Sequence, residues 1–342
     1  MNKLLTIVIP AYNMEALLPR CLDSICTEKV MDKVQVIVVN DGSKDRTLEI
    51  ARSYESRYPQ YITVIDKNNG NYGSCMNMGL SIAKGKYFRT LDADDWYKTE
   101  AYEKFVDELE HTEADMLIND RFIFYEKSNE LTHETMEMSP ELLNKDIPID
   151  NRFWKKPEII KLTHVQCICY KTEILKHTKM KWSENVFYTD LEFLYWPLSS
   201  VRTIRFIPLP VYIYLIGREE QSVNVKSIMK NFHSSYVVSK KIAQDFVQNS
   251  KPNSNVYDLQ KKYVCVILGY YFYPSLLYNS FNKEAMDEVD DIVKQNEQLN
   301  FIMVNQCVWM KQHYLWAYRK SKPYFLIICK LYKLYNKLFN QV

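Results

Sequence analysis

The first hundred residues predict an α/β fold with a doubly wound, mostly parallel sheet flanked by helices. Short apolar runs rich in β-branched and aromatic residues alternate with stretches whose apolar residues recur at helical spacing. Such alternation is typical of βαβ units, which build parallel sheets. Polar side chains follow the ends of three of these runs. Because ligands of open α/β sheets bind beyond the carboxyl ends of the strands, the sequence predicts a functional site at that edge.

Four strands are predicted in this region, at residues 4–10, 34–40, 61–66 and 86–91. A turn at 41–45 follows the second strand and caps a helix that continues through Tyr54. The helices before and after it are marked by apolar residues at helical spacing, namely Leu18, Leu22 and Ile25, then Met76, Leu80 and Ala83. Residues 70–73 are interpreted as a turn.

Three carboxylates stand directly after the fourth strand, at Asp92, Asp94 and Asp95. Carboxylates this close repel one another unless a positive charge lies between them. A hard divalent cation such as Mg²⁺ or Mn²⁺, held mainly by the phosphates of a ligand, supplies that charge. The alternative is that Asp94 or Asp95 only caps the next helix. Asn13 and Asp41 also follow strand ends, and helix capping alone does not explain that coincidence.

Composition excludes several classes of protein. The 342 residues carry a formal net charge of +2, so no global field favours nucleic acid. Eight cysteines without a CxxC motif indicate reduced thiols in a cytoplasmic protein and neither a zinc site nor a disulfide framework. The amino terminus resembles a first strand and no signal peptide. No uninterrupted apolar segment reaches the roughly 18 residues of a spanning helix.

The sequence lacks the motifs that are typical of two classes of nucleotide-binding protein. No GxGxxG follows the first strand, which argues against a dinucleotide-dependent oxidoreductase. No GxxxxGK[ST] is present either, which argues against a P-loop NTPase.

Four segments in order resemble the family 2 glycosyltransferases, which are inverting, metal-dependent, nucleotide-sugar enzymes of the GT-A fold. The segments are residues 8–13, residues 39–47, residues 69–73 with Asn77 and Gly79, and residues 92–95. The resemblance is dense over about the first hundred residues and continues more weakly to about residue 225. It implies a nucleotide-sugar-binding half at 1–100, an acceptor-binding half at 101–225 and a helical region at 226–342.

The resemblance implies a binding site for a UDP-linked donor. Asp41 would accept a hydrogen bond from the ring N–H of uracil, which cytosine cannot offer because its ring nitrogen is an acceptor. The turn after the first strand would line the base and the ribose with Pro10, Ala11, Tyr12 and Asn13. Gly70, Asp92 and Ala93 complete the donor-binding set, with Asp92 close to the ribose or the cation. Asp94 would hold the Mn²⁺ or Mg²⁺ that bridges the diphosphate.

The family's inverting reaction also needs a base, which these enzymes place at the start of a helix in the second half. Asp190, within residues 188–193, occupies the corresponding place and is the predicted base. The family more often has Glu-Asp at this step, whereas this chain has Thr189 before Asp190. Glu192 is the alternative base. A further alternative is that Thr189 or Asp190 is an ordinary N-cap.

Residues 210–222 resemble the strand and mobile loop that close over the donor in this family. Arg218 in that loop is predicted to hold the diphosphate, because a guanidinium binds phosphate through two hydrogen bonds. A solvated loop arginine is the alternative.

The carboxyl-terminal segment after Pro323 forms a basic amphipathic pattern. Ile327, Leu331 and Leu338 share one face, and lysines occupy another. Two interpretations stay open: docking on the anionic inner face of the cell membrane, or packing against the protein. Docking would suit an enzyme that extends a lipid-linked sugar.

The predicted function is inverting transfer of a sugar from a UDP-sugar to a saccharide or lipid-linked saccharide acceptor during cell-surface polysaccharide synthesis. One alternative is a sugar nucleotidyltransferase. Such enzymes normally need a glycine-rich, basic loop after the first strand, and residues 11–15 of this chain are neither glycine-rich nor basic. The other is a catalytically inactive partner that binds a nucleotide sugar. Slow release of UDP from the donor would distinguish a live transferase from such a partner.

Overall fold

The structure is a computed structural model that describes residues 3–135, 138–150, 164–178, 181–218, 221, 225–277 and 282–303. The chain divides into two compact units, Met1–Glu219 and Glu220–Val342. The first unit is an α/β domain and the second is helical within its described residues.

The first unit is built on one sheet, to which ten strands contribute within the described residues. In chain order they are β1 (Leu5–Ala11), β2 (Val34–Asn40), β3 (Ile62–Asp66), β4 (Tyr87–Thr90), β5 (Trp96–Tyr97), β6 (Met116–Tyr125), β7 (Glu130–Glu134), β8 (Ile147–Pro148), β9 (Ile168–Lys171) and β10 (Thr203–Ile216). The sheet order is β3-β2-β1-β4-β9-β6-β10-β5, with β7 beside β6 and β8 beside β10.

The predicted α/β class is confirmed, and the four predicted strands differ from β1 to β4 by at most a residue at each end. These four strands pair in parallel, with Ile7 opposite Val36 and Arg89. β1 and β2 are almost entirely buried, because helices cover both faces of a parallel sheet and leave no polar side.

The second half of the sheet is mixed, which the sequence pattern did not reveal. β9 is antiparallel to both β4 and β6, whereas β10 runs parallel to β6. β5 is only two residues long and pairs antiparallel with β10 at Tyr212 and Ile213. This pairing holds the chain directly after the aspartates against the middle of β10.

The helices of the first unit are α1 (Leu18–Asp23), α2 (Thr47–Arg57), α3 (Asn71–Ser81), α4 (Thr99–Glu108), α5 (Thr172–His177) and α6 (Asp190–Tyr195). The predicted turn at 70–73 was wrong in part, because α3 already begins at Asn71, with only Gly70 before it. Asn71 has φ of 63°, a left-handed conformation that asparagine adopts more easily than most residues. α3 packs tightly on β1, since a Cβ on Gly79 would lie 2.5 Å from Val8 Cγ2.

The second unit contains α7 (Val225–Lys230), α8 (Phe232–Asn249), α9 (Tyr257–Leu277), α10 (Lys283–Lys294) and α11 (Glu297–Phe301). Stacked aromatic rings join α8 to α9, with Phe232 on Tyr271 and Phe246 on Tyr257. Asn282 caps α10 by accepting a hydrogen bond from the backbone of Ala285.

None of the helices in the described part of the chain combines the length and apolar composition that a membrane crossing requires. The six cysteines within the described ranges form no disulfide with one another. The predicted amphipathic helix after Pro323 lies outside the described residues.

Candidate functional site

The first predicted turn and the turn after β2 are joined by reciprocal hydrogen bonds. The backbone N–H of Asn13 donates to Ser43 Oγ at 3.0 Å, and its side-chain Oδ1 accepts from the backbone of Lys44 at 2.8 Å. Asn13 holds φ at 53°, in the left-handed region that asparagine tolerates. The backbone N–H of Asp41 donates to the Ala11 carbonyl at 2.9 Å. Two strand ends therefore form one continuous rim, on which Tyr12 is exposed.

Asp41 is buried at this rim, and one of its carboxylate oxygens is engaged. Oδ1 accepts from Lys67 Nζ at 2.6 Å and from the backbone N–H of Gly70 at 2.9 Å. Lys67 Nζ also donates to Ser74 Oγ at 2.8 Å. These bonds fix the plane of the carboxylate and link the end of β2 to the start of α3.

An open polar cleft of about 430 Å³ lies beside this turn, lined by Asn40, Gly42, Ser43, Lys44, Leu48, Asp66, Lys67 and Asn68. Small-molecule sites are usually lined mainly by apolar and aromatic groups, and most of this lining is polar. Neither Asp92 nor Asp190 lines this cleft. The carboxylate cluster described below is therefore the stronger candidate.

The three aspartates after β4 have different environments. Asp95 is buried, and its carboxylate accepts from the Tyr212 hydroxyl at 2.6 Å and from the backbone N–H of Leu215 at 2.8 Å. The Tyr212 hydroxyl in turn accepts from the backbone N–H of Asp92 at 3.1 Å. Asp95 thus anchors the loop to β10, which leaves Asp92 and Asp94 as the carboxylates available to a ligand.

Two arginines surround Asp94. Arg218 Nη1 donates to Asp94 Oδ2 at 2.7 Å, and Arg20 Nη2 donates to the Asp94 carbonyl at 2.9 Å. The Arg20 guanidinium lies 3.7 Å from the centre of the Trp96 ring, which fixes it by a cation–π contact. Ala93 lies between the aspartates and is buried. The sequence predicted Arg218 at this site but missed Arg20, Trp96 and Tyr212, because their contacts join residues far apart in the chain.

Burial and mutual repulsion make these carboxyl groups reluctant to ionise. Burial raises the pKa of Asp92 to about 8, assisted by the negative charges of Asp94 and Asp190. Burial also raises the pKa of Asp94, and the Arg218 guanidinium opposes that rise. A cation placed here would lower these pKa values, because it favours the ionised form of each group.

Asp190 begins α6, and its negative charge is near enough to help raise the pKa of Asp92. Burial raises the pKa of Asp190 to about 6, and the backbone N–H groups of Asp190 and Leu191 oppose the rise. Tyr188 just before it has φ of 63°, which is an outlier for an aromatic residue and typical of functional sites. Thr189 is the N-cap, but its hydroxyl makes no capping hydrogen bond.

Glu192, the alternative base, lies in another environment. It is fully buried, and its two carboxylate oxygens accept from the backbone N–H and the hydroxyl of Ser183 at 2.7 and 2.9 Å. The Glu192 carboxylate therefore attaches α6 to the loop at Ser183, and its burial keeps it away from an acceptor. The structure therefore favours Asp190 over Glu192 as the reactive group.

The chemistry of the carboxylate cluster fits a hard divalent cation with few protein ligands. No group of three or more His, Cys, Asp or Glu side chains within the described ranges has the arrangement of a complete metal site. Mg²⁺ and Mn²⁺ at phosphate-transfer sites are commonly held by one or two carboxylates plus the substrate's phosphates. Asp92 and Asp94 supply that number.

Comparison with known proteins shows which family this chain is similar to. The sequence model described as glycosyl transferase family 2 matches residues 6–177, half of the chain. The uncharacterized glycosyltransferase EpsJ of Bacillus subtilis is 27% identical over 225 residues, which are 63% of this chain and 61% of EpsJ. The minor teichoic acid biosynthesis protein GgaB of Bacillus subtilis is 27% identical over 252 residues, which are 71% of this chain and 27% of GgaB. The chain thus spans about three fifths of EpsJ and about a quarter of GgaB.

Among solved structures, TarS of S. aureus in complex with UDP-GlcNAc superposes with a TM-score of 0.64. The match covers 98% of this chain and 91% of that one, at 15% identity. At this identity the likeness concerns the fold, which is GT-A with helices after the sheet domain. The chain therefore belongs to glycosyl transferase family 2.

Proposed function

We propose that the protein transfers a sugar from a UDP-linked donor to a saccharide acceptor, with inversion at the anomeric carbon. The observation that carries this proposal is the placing of Asp92 and Asp94 directly after β4, with Asp190 at the start of α6 near enough for its negative charge to help raise the pKa of Asp92. In this proposal Asp92 and Asp94 would lie beside the diphosphate and its cation, and Asp190 would lie beside the acceptor. A single displacement at a sugar carbon requires both stabilisation of the departing diphosphate and a base for the acceptor hydroxyl.

A uracil base is the proposed partner of Asp41. Lys67 and Gly70 already hold Oδ1, so the other oxygen has a fixed direction in which to accept the ring N–H of uracil. Cytosine offers an acceptor at that position and would face the carboxylate unfavourably. The rim formed by residues 10–13 and the peptide at Gly70 would line the base and the ribose. That TarS was solved with UDP-GlcNAc supports a uridine nucleotide.

The diphosphate is proposed to lie over Asp92 and Ala93, with Asp94 as the ligand of Mn²⁺ or Mg²⁺. When bound, the cation neutralises the charge that develops on the departing diphosphate. Arg218 is proposed to leave Asp94 for the diphosphate, where its guanidinium offers two parallel hydrogen bonds. Arg20 stays against Trp96 and keeps the Asp94 backbone in place.

Asp190 is the proposed base. As the acceptor oxygen forms its bond to the anomeric carbon, the bond from that carbon to the diphosphate breaks, and Asp190 takes the proton of the acceptor hydroxyl. A pKa of about 6 leaves Asp190 ionised at neutral pH and still basic enough to assist. The name of GgaB supports an acceptor that belongs to a cell-surface polymer, free or carried on a lipid.

The test is release of UDP from a panel of UDP-glucose, UDP-galactose, UDP-GlcNAc and UDP-GalNAc, with Mn²⁺ or Mg²⁺ present. We expect slow release from at least one donor, abolished by chelator and by Asp190→Asn. NMR of the released sugar should show the anomer opposite to that of the donor. No release from any donor, or retained configuration, would contradict the proposal.

A further inference from the structure

The residues before Asp190 are held by a set of contacts that the reaction itself does not use. Glu192 accepts from both the backbone and the hydroxyl of Ser183, at 2.7 and 2.9 Å, and the two residues are nine positions apart. Glu192 is completely buried. The loop after residue 181 is thereby attached to α6, the helix that Asp190 begins.

The same loop is attached to α3 through Asn77. Asn77 Oδ1 accepts from the Trp182 backbone N–H at 3.0 Å, and Nδ2 donates to the Trp182 carbonyl at 3.0 Å. Nδ2 also donates to Glu184 Oε1 at 2.9 Å. An asparagine that pairs with both backbone groups of one residue reproduces the pairing of a β-strand and fixes that peptide in two directions.

Two glycines of the α3 region bring the helix and the loop close enough for these bonds. A Cβ on Gly73 would lie 2.0 Å from the Ser183 carbonyl oxygen, so only glycine permits this approach. The Gly70 carbonyl accepts from the Asn185 backbone N–H at 2.8 Å. The Gly70 N–H meanwhile donates to Asp41 Oδ1. Gly70, the N-cap of α3, thus contacts the proposed uracil-binding carboxylate, and α3 contacts the loop before Asp190 along its side.

We infer that Asn77 is a positioning residue for Asp190, acting through Trp182, Ser183 and Glu192. This inference rests on the proposed function, in which Asp190 is the base. Asn77 lies on a helix of the donor-binding half, so one rigid element sets the distance between donor and base. We call the contacts between Asn77, Trp182, Ser183 and Glu192 the clamp. A displacement of about 1 Å at a reacting group can lower the rate about a hundredfold, so loosening the clamp should slow the reaction.

The test compares Asn77→Ala with Met78→Ala, the neighbouring residue on the exposed side of the same helix. We expect Asn77→Ala to lower kcat for UDP release at least about tenfold, with the Kd of UDP in saturating Mn²⁺ changed by less than about twofold. Hydrogen–deuterium exchange of the ligand-free protein should rise in the peptide covering 181–195 and stay unchanged in 5–66. Met78→Ala should match the wild type in all three measurements.

Ser183 supplies a second, milder perturbation of the same clamp, should Asn77→Ala fail to fold. Ser183→Ala removes the hydroxyl bond to Glu192, whereas Ser183→Thr keeps a hydroxyl. We expect reduced kcat in the first and recovery in the second, at constant UDP affinity.

The inference is overturned if the clamp variants keep wild-type kcat, or if they lose UDP affinity as much as kcat. Failure of the proposed function gives a different result: Asp190→Asn would then release UDP like the wild type, or the wild type would release none. If the wild type is active, Asp190→Asn is inactive and Asn77→Ala is unaffected, only the positioning role is refuted.

Discussion

The Arg218 guanidinium and the Asp94 carboxylate form an ion pair with Nη1 and Oδ2 2.7 Å apart, and both side chains are largely buried. The arginine lies just after β10, where Gly217 has φ of 124°, and its second contact is Met14 Sδ at 3.8 Å. In this structure the positive charge beside Asp94 therefore comes from Arg218, which belongs to the loop proposed to close over the donor. A buried carboxylate keeps such a partner because its charge is otherwise uncompensated.

Replacing Arg218 by methionine should separate two effects of this ion pair. Without the guanidinium, Asp94 has lost its competing cation, so we expect Mn²⁺ alone to bind several-fold more tightly. UDP in saturating Mn²⁺ should bind at least about tenfold more weakly, because the charge-assisted hydrogen bonds from Arg218 to the diphosphate are lost. Calorimetry measures both affinities. The exposed Arg202→Met is the matched control, and unchanged Mn²⁺ affinity in Arg218→Met would contradict the competition.

Asp94→Asn and Asp190→Asn should both abolish transfer, but for different reasons. Asp94→Asn removes a metal ligand, so chelator-sensitive UDP binding should disappear. Asp190→Asn removes only the base, so we expect UDP affinity within about twofold of wild type and a rate lower by about 10²–10⁴. UDP titrations with and without chelator, beside single-turnover rates, make the comparison. Equal donor affinities in the two variants would refute the roles assigned here.

The pH dependence of kcat should report Asp190. Its pKa is raised to about 6 by burial, and the group must be ionised to accept a proton. The rate should therefore rise with pH through about 6 and then level off. A plateau that extends unchanged to pH 5 would contradict this assignment.

The same pKa has a consequence for stability. A carboxyl group whose pKa is higher in the folded protein is protonated more readily there, so the fold loses stability as pH rises from the ordinary value towards about 6. Above that range the ionised, buried Asp190 keeps the fold less stable. Asp190→Asn should then be at least as stable as the wild type at pH 8, measured by urea unfolding. A less stable variant would mean that the carboxylate contributes favourable contacts instead.

Gly79→Ala should destabilise the first unit by overpacking. The added Cβ would lie 2.5 Å from Val8 Cγ2 and 2.6 Å from Val8 Cγ1, so α3 must move away from β1. We expect a loss of about 1–3 kcal/mol in the free energy of unfolding. Val8→Ala in the same chain should recover part of that loss, because it removes the clashing methyl groups. Losses that simply add in the double variant would contradict the direct contact.

Much of the nucleotide-proximal fold was predictable because its signals are local. β-branched runs and helical periodicity placed β1 to β4, and the parallel arrangement then brought the turns at Asn13 and Asp41 together. The mixed half carried weaker signals. β5 has two residues, and β9 lies between β4 and β6 although it is far from both in sequence, so no local pattern could reveal either pairing.

The sequence by itself determined the alternation of strands and helices and the placing of polar residues at strand ends, because backbone periodicity and turn chemistry act over a few residues. Only the tertiary structure decided which carboxylates are available. Asp95 accepts hydrogen bonds from Tyr212 and Leu215, which are 117 and 120 residues away in the chain. Glu192 is buried and accepts hydrogen bonds from Ser183. Identical carboxylates acquire different roles from burial and from partners that only the folded chain brings within hydrogen-bonding distance.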